Sequence, residues 1–208
     1  MRAESVEPTD PADLVDDTAA GCPVTRIVAG EFGGRRLITP AGELTRPTAE
    51  KVRAALGSSL YAAGGLAGAR VLDLYAGTGA LGLELLSRGA DQVVLVEQDR
   101  AALAAARANV QALGVGARVE VVPRGVAAYA ALAGESFDVV VADPPYDVPD
   151  DEIAAVLTAL VAGGRFRPAA DVVIERRSKG GPFGFPEPLT AVREKRYGDT
   201  RLCYGRAP

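Results

Sequence analysis

From Arg70 to Arg177 the chain alternates short apolar runs with segments whose apolar residues recur at helical spacing. The runs RVLDLYA, QVVLVEQ, RVEVVP, FDVVVAD and DVVIERR have strand length and are rich in Val, Leu and Ile. Between them lie ALGLELLSRG, DRAALAAARANVQALG, a shorter stretch near AAYAALA, and DEIAAVLTALVAGG. These predict helices, three of them closed by Gly89, Gly114 and Gly163. Strands that are apolar on both faces and joined by helical crossovers form a parallel sheet covered by helices on both sides. The last segment differs: TAVREKRY and TRLCYGR flank Gly198 and Asp199, which predicts a terminal hairpin and hence antiparallel pairing.

Upstream, RIVAGEF and RRLITP flank Gly33 and Gly34 and predict a β-hairpin with a glycine turn. AEKVRAALGSSL then puts Val52, Ala55, Leu56 and Leu60 on one helical face, with Thr48 available as the N-cap. Residues 1–24 are acidic, hold three prolines and show no apolar period, so they read as a disordered leader. The expected organisation is that leader, a hairpin-and-helix appendage over residues 25–60, and a main α/β domain over residues 61–208.

Composition narrows the chemistry. The 208 residues are 48% hydrophobic, enough for one sizeable core. Histidine is absent, which removes the commonest general base and metal ligand and argues against zinc chemistry and histidine-dependent triads. Cys22 and Cys203 lie far apart in the chain and form neither a metal spacing nor a disulfide framework. No apolar stretch approaches the roughly 20 residues that span a bilayer, and the N-terminus lacks a basic region followed by an apolar one. A cytoplasmic protein that uses no metal is expected.

The net charge of −4 is unevenly spread. Residues 1–25 hold one Arg against six acidic side chains, whereas residues 26–208 hold 22 basic and 21 acidic ones. Arg26 to Arg53 has six basic against three acidic residues, and the segment from residue 151 onward has ten against seven. Basic ends around an acidic middle suit phosphate contact at the flanks; scattered solvated charge is the alternative.

Two features point to a ligand containing adenosine. Gly77, Gly79 and Gly82 make a G-x-G-x-x-G turn that opens a helix after the first long strand. Glu97 ends the next strand, where a carboxylate can accept ribose hydroxyls. A dinucleotide would put its pyrophosphate at the helix N-terminus. S-adenosylmethionine carries a positive sulfonium and an ammonium instead, and Asp73, just before the turn, would favour that cationic end. Asp73 could equally tie down the loop backbone.

The stretch VVVADPPYD ends a core strand with Asp143, Pro144, Pro145 and Tyr146. In a doubly wound sheet the first and fourth strands are neighbours at the switch point, so this loop should emerge beside Gly77. An exocyclic amine on a base is a poor nucleophile because its lone pair is delocalised into the ring. The Asp143 carboxylate and the Pro144 carbonyl can accept its two hydrogens and favour the geometry for in-line attack on a methyl group. Paired prolines hold the acceptors in place, and Tyr146 offers a face for a flipped-out or unpaired base.

The order DLYAGTG, VEQD, DPPY resembles the class I S-adenosylmethionine methyltransferases that act on exocyclic amines. RIVAGEFGGRRL followed by RPTAEKVRAAL is similar, more narrowly, to the bacterial small-subunit ribosomal RNA guanine-N2 methyltransferases. The resemblance covers residues 26–206. It implies a Rossmann-like fold with a mostly parallel seven-stranded sheet and methylation of one guanine of 16S rRNA, guanine 966; a monomer is expected, and the modest basic surplus before Val52 predicts an assembled or partly assembled 30S subunit as substrate. Asp143, Pro144, Pro145 and Tyr146 would hold the target base. Asp73, Tyr75, Gly77, Gly79, Glu97, Gly125 and Val126 would line the cofactor. Arg46, Pro47 and Thr48 would sit at the substrate mouth, and Arg26, Arg35, Arg36, Lys51 and Arg53 would contact RNA phosphates.

The chain departs from the family pattern after the third long strand. There it reads PRGVAA, with no acidic residue for the adenine amino group. Three alternatives stay open on the residues alone: a DNA adenine-N6 methyltransferase using the same loop, an NAD-dependent oxidoreductase using the glycine turn, and a noncatalytic RNA-binding assembly factor.

Overall fold

The computed structural model describes residues 25–40 and 47–208. The expected leader, Cys22 and Arg46 lie outside the described residues. The elements are β1 (Thr25–Arg26), β2 (Arg36–Leu37), α1 (Pro47–Ala62), β3 (Arg70–Leu74), α2 (Ala80–Ser87), β4 (Gln92–Glu97) and α3 (Arg100–Leu113). They continue with β5 (Val119–Pro123), α4 (Val126–Ala130), β6 (Phe137–Ala142), α5 (Asp150–Ala162), β7 (Phe166–Arg177), β8 (Thr190–Tyr197) and β9 (Thr200–Arg206).

Seven strands form one sheet in the order β5-β4-β3-β6-β7-β9-β8. The first five are parallel, and β9 runs antiparallel to both of its neighbours, as the terminal hairpin pattern predicts. The strand order reverses at β3, which pairs with both β4 and β6, so the crevice of a doubly wound sheet opens above their C-terminal ends.

Period-two alternation divides the apolar residues between two layers. Val71, Leu95, Val139, Val141 and Val173 pack with Val52, Leu56 and Leu60 of α1, Leu83 and Leu86 of α2, and Val110 of α3. Leu72, Leu74, Val94, Val96, Val140, Ala142 and Ile174 pack on the other side with Tyr129 of α4 and Leu157 and Leu160 of α5. The predicted glycine stops hold for all three helices: Gly89 and Gly114 take positive φ after α2 and α3, and Gly163 caps α5. After α5 the left-handed residue is Gly164 rather than Gly163, whose φ is −77°. Among the described residues, no helix is long and apolar enough to cross a membrane.

The N-terminal hairpin is smaller and its turn wider than the sequence predicts. Only Thr25↔Leu37 and Arg26↔Arg36 pair. Its stability comes from docking: Ile27 and Leu37 are buried in the layer formed by α1 and α2. Buried Glu84 accepts the Val28 N–H at 2.6 Å, while the Ser87 hydroxyl accepts from the Phe32 N–H at 2.9 Å and donates to the Ala29 carbonyl at 2.6 Å. Thr48 is not an N-cap. The helix already includes Pro47, whose fixed φ and missing N–H suit a first helical turn.

Candidate active site

The glycine turn follows β3. Tyr75 adopts φ +59°, a left-handed conformation uncommon for a residue with a Cβ, and Gly77 and Gly79 follow at +55° and +78°. This reversal delivers the chain into α2. The space a Cβ on Gly77 would take is empty, so a ligand can approach the backbone there. At Gly82 a Cβ would lie 2.5 Å from Leu95 Cδ2 and 2.8 Å from Val93 Cγ1, so this glycine lets α2 press against β4.

Asp73 is 1% exposed, and its Oδ2 accepts the Gly82 N–H at 2.8 Å. Of the two roles open to it in sequence, this is the backbone-tying one. Burial pushes its carboxyl up to about 8, with smaller contributions from Asp143 and Glu97. Glu97 sits across the turn: its Oε2 accepts the Gly77 N–H at 2.8 Å, and its Oε1 accepts the N–H groups of Gln98 and Asp99 at 2.6 and 2.8 Å. The carboxylate is thereby aimed along the turn. Gly125 caps α4 and Val126 is buried beneath it; a Cβ on Gly125 would lie 2.9 Å from Gln98 Oε1. The exposed Gln98 amide thus lines the place where the sequence offers no acidic partner for adenine.

Asp143 to Tyr146 leave β6 next to the glycine turn, because Leu74 pairs with Ala142 and Tyr75 and Asp143 are the residues that follow. Val148 N–H donates to the Pro145 carbonyl at 3.0 Å and closes the loop. Arg176 of β7 holds it from below, donating to the Val148 carbonyl at 2.9 Å and pairing with Asp150 at 2.7 Å.

Sequence reasoning missed the far wall of the crevice. Ala142 pairs with Ile174, which sets Asp143 beside Glu175. Thr200 Oγ1 donates to Glu175 Oε1 at 3.4 Å, and the Tyr146 hydroxyl lies 3.5 Å from Thr200 Oγ1. The Arg177 guanidinium covers the Tyr146 ring at 4.4 Å from its centroid. Desolvation raises both carboxyls above the ordinary range, and the charge on Asp143 raises Glu175 further. One signal was available: Glu175 interrupts the apolar run DVVI at a position matching Asp143 on the adjoining strand.

The basic residues divide. Arg26, Arg35, Arg36 and Lys51 are exposed, with Arg26 and Arg36 side by side in the β1–β2 ladder. Arg35 donates to the Ala112 carbonyl at 2.8 Å. Arg53 is a correction. It is 9% exposed, lies 3.8 Å from buried Glu84 and donates to the Arg26 carbonyl at 2.6 Å, so it supports the hairpin from inside and is not available to phosphate. Pro47 and Thr48 begin α1, on the chain entering from the hairpin.

The model of a family described as Conserved hypothetical protein 95 matches residues 25–206. The chain belongs to this family. It is 31% identical over 176 residues to ribosomal RNA small subunit methyltransferase D of Haemophilus influenzae, covering 83% of this chain and 89% of that protein. The Escherichia coli protein of the same name is 37% identical over 121 residues, 58% of this chain and 60% of its own length. Among solved structures, the Escherichia coli protein yhhF aligns with a TM-score of 0.78 at 29% identity, covering 88% of this chain and 98% of that one. The fold of this Conserved hypothetical protein 95 member is that of class I methyltransferases. Magnesium protoporphyrin IX methyltransferase from Synechocystis, solved with S-adenosylmethionine bound, shares it with a TM-score of 0.61 at 18% identity, covering 77% of this chain and 80% of that one.

S-adenosylmethionine fits the crevice of this family member on two observations. The backbone at Gly77 is open to close approach, and Glu97 and Asp143 stand beside the turn, giving a cationic ligand acidic surroundings. Among the described residues, no group of three or more His, Cys, Asp or Glu could hold a metal ion.

Proposed function

We propose that this protein is a cytoplasmic, monomeric enzyme that transfers a methyl group from S-adenosylmethionine to the exocyclic N2 amine of a guanine in 16S rRNA, guanine 966 by family resemblance. The observation that carries this reading is the Asp143–Tyr146 loop at the switch point, one strand from the glycine turn. The names of the Haemophilus and Escherichia coli relatives support rRNA as the substrate.

The bound cofactor supplies an activated methyl on a good leaving group. Gly77 would take its methionine end against bare backbone, with Gly79, packed on Leu95, shaping the turn beside it; Glu97 would accept from the ribose, and Tyr75, Gly125 and Val126 would border the adenosine side. Asp73 holds the turn in shape from beneath. The Asp143 carboxylate and Pro144 carbonyl accept the two amine hydrogens and so direct the nitrogen lone pair outward. The Asp143 charge would stabilise the nitrogen as it becomes positive, the N–C bond forming while the sulfur–methyl bond breaks to leave a neutral thioether and the amine proton departs to solvent. Pro145 stiffens the loop, and Tyr146 stacks on the base. Arg26, Arg35, Arg36 and Lys51 would take RNA phosphates.

This basic surface is small for naked RNA, where each phosphate contact adds only a salt-dependent increment. The preferred substrate is therefore an assembled or partly assembled 30S particle, and deproteinised 16S rRNA should be methylated poorly. The deciding experiment supplies labelled S-adenosylmethionine and 30S particles from cells lacking the endogenous enzyme. N2-methylguanosine should appear with wild type and fall by at least about 100-fold with Asp143→Ala. Label found on adenine, or none transferred to the particle, defeats the assignment.

A further inference from the structure

Glu175 has no part in the reaction as derived so far. It follows Val173 by two residues and so faces the same side of the sheet as Asp143, which follows Val141. The register sets the two carboxylates at neighbouring strand ends. Glu175 is half-buried, and among the described residues its side-chain partners are the neutral hydroxyls of Thr200, at 3.4 Å, and Tyr146. Among those residues it pairs with no Arg or Lys. A half-buried carboxylate with spare acceptor positions at the rim of a site is matched by a ligand that brings hydrogen-bond donors.

The target base brings them in a fixed order. A guanine that offers its 2-amine to Asp143 carries N1–H as the next group along the same edge, so this edge reads donor, donor. Adenine places an unprotonated N1 beside its amine and reads donor, acceptor. We propose that Glu175 selects guanine by accepting its N1–H while Asp143 accepts from its 2-amine. Adenine in the same pose turns the N1 lone pair toward the carboxylate and is repelled once that group is ionised. The inference rests on the methyltransferase reading above and deepens it, naming the residue that decides between two purines.

The test uses full-length protein and 30S particles reconstituted with 16S rRNA carrying guanine or 2-aminopurine at the modified position. 2-Aminopurine keeps the 2-amine and lacks N1–H. Burial and Asp143 raise the Glu175 carboxyl to about 8, so rates are compared above that pH, where it is ionised. Wild type should prefer guanine by roughly 10- to 100-fold in kcat/KM. Glu175→Gln, whose amide can accept or donate, should bring the preference within about threefold. Glu175→Ala, which removes the acceptor, should do the same. Thr200→Val loosens Tyr146 and removes one hydroxyl contact to Glu175 but keeps the carboxylate, so it should slow both substrates and retain a preference for guanine. The base analogue also lacks O6, a difference that cancels between variants.

A preference unchanged in both Glu175 variants, with wild type active on guanine, overturns the inference alone. Failure of wild type to methylate the guanine particle overturns the underlying reading instead. Cofactor binding to each variant, measured by calorimetry, separates these outcomes from misfolding.

Discussion

Asn109 of α3 accepts the Ile38 N–H at 2.6 Å and returns a hydrogen bond to the Ile38 carbonyl at 3.0 Å. The same amide nitrogen also donates to the carbonyl of Thr78, inside the glycine turn, at 3.0 Å. One buried side chain thus joins the N-terminal hairpin to the loop that would cradle the cofactor. Asn109→Ala leaves three backbone groups without their partner and should cost about 2–4 kcal/mol of stability, seen as a lower urea midpoint. Because both segments lose their tie, RNA and cofactor affinities should fall together.

Two glycines of one motif should fail in different ways. Gly82→Ala drives a methyl into Leu95 and Val93, an overpacking expected to cost about 1–3 kcal/mol. Gly77→Ala meets no neighbouring atom but must hold φ +55°, at a cost of about 1–2 kcal/mol, and it fills the space needed by a ligand. Calorimetric titration with S-adenosylmethionine should show Gly77→Ala losing far more affinity than its stability loss accounts for. Equal losses in both measurements would remove Gly77 from the cofactor cradle.

The buried Asp73 carboxyl gives stability a pH dependence of known sign. Its folded value is raised to about 8 by burial, so between the ordinary carboxylate range and pH 8 the folded state holds a proton that the unfolded state has lost. Stability from this group is therefore full at low pH and declines as pH rises toward 8. Asp73→Asn can still accept the Gly82 N–H and does not titrate. Relative to wild type it should grow more stable as pH climbs from 5 to 8, by urea denaturation at each pH. A constant difference would mean that Asp73 is ionised throughout.

The sheet was legible in sequence because burial on both faces gives the central parallel strands β3, β4 and β6 long apolar runs, and Gly198–Asp199 marks the last hairpin. The Asp143–Tyr146 loop was legible because prolines after a buried strand have few other uses. Glu175, Thr200 and Arg177 were not, since their relation to Tyr146 depends on the register of β7 against β6 and of β9 against β7, which joins residues far apart in the chain. Asn109 lies in a helix of ordinary polar pattern, and its tie to Ile38 spans 71 residues. Arg53 misled for the opposite reason. A charged residue near other basic residues reads as surface, and only the docked hairpin covers it.

That contrast between arginines sets the last prediction. Arg36 is exposed beside Arg26, whereas Arg53 is buried between Glu84 and the Arg26 carbonyl. If the hairpin meets phosphate, Arg36→Ala removes one counterion-releasing contact and leaves packing untouched. It should weaken binding to 30S particles, lower the salt dependence of log K by about one unit, and leave the thermal midpoint unchanged. Arg53→Ala removes one partner of a buried ion pair, leaving Glu84 with Arg88, and strips a donor from the Arg26 carbonyl. It should cost about 3–5 kcal/mol, and whatever protein remains folded should bind with an unchanged salt slope. Binding titrations at several salt concentrations, alongside melting curves, separate the two effects. A reduced slope for Arg53→Ala would mean that the hairpin lifts away on the particle and exposes this guanidinium to RNA.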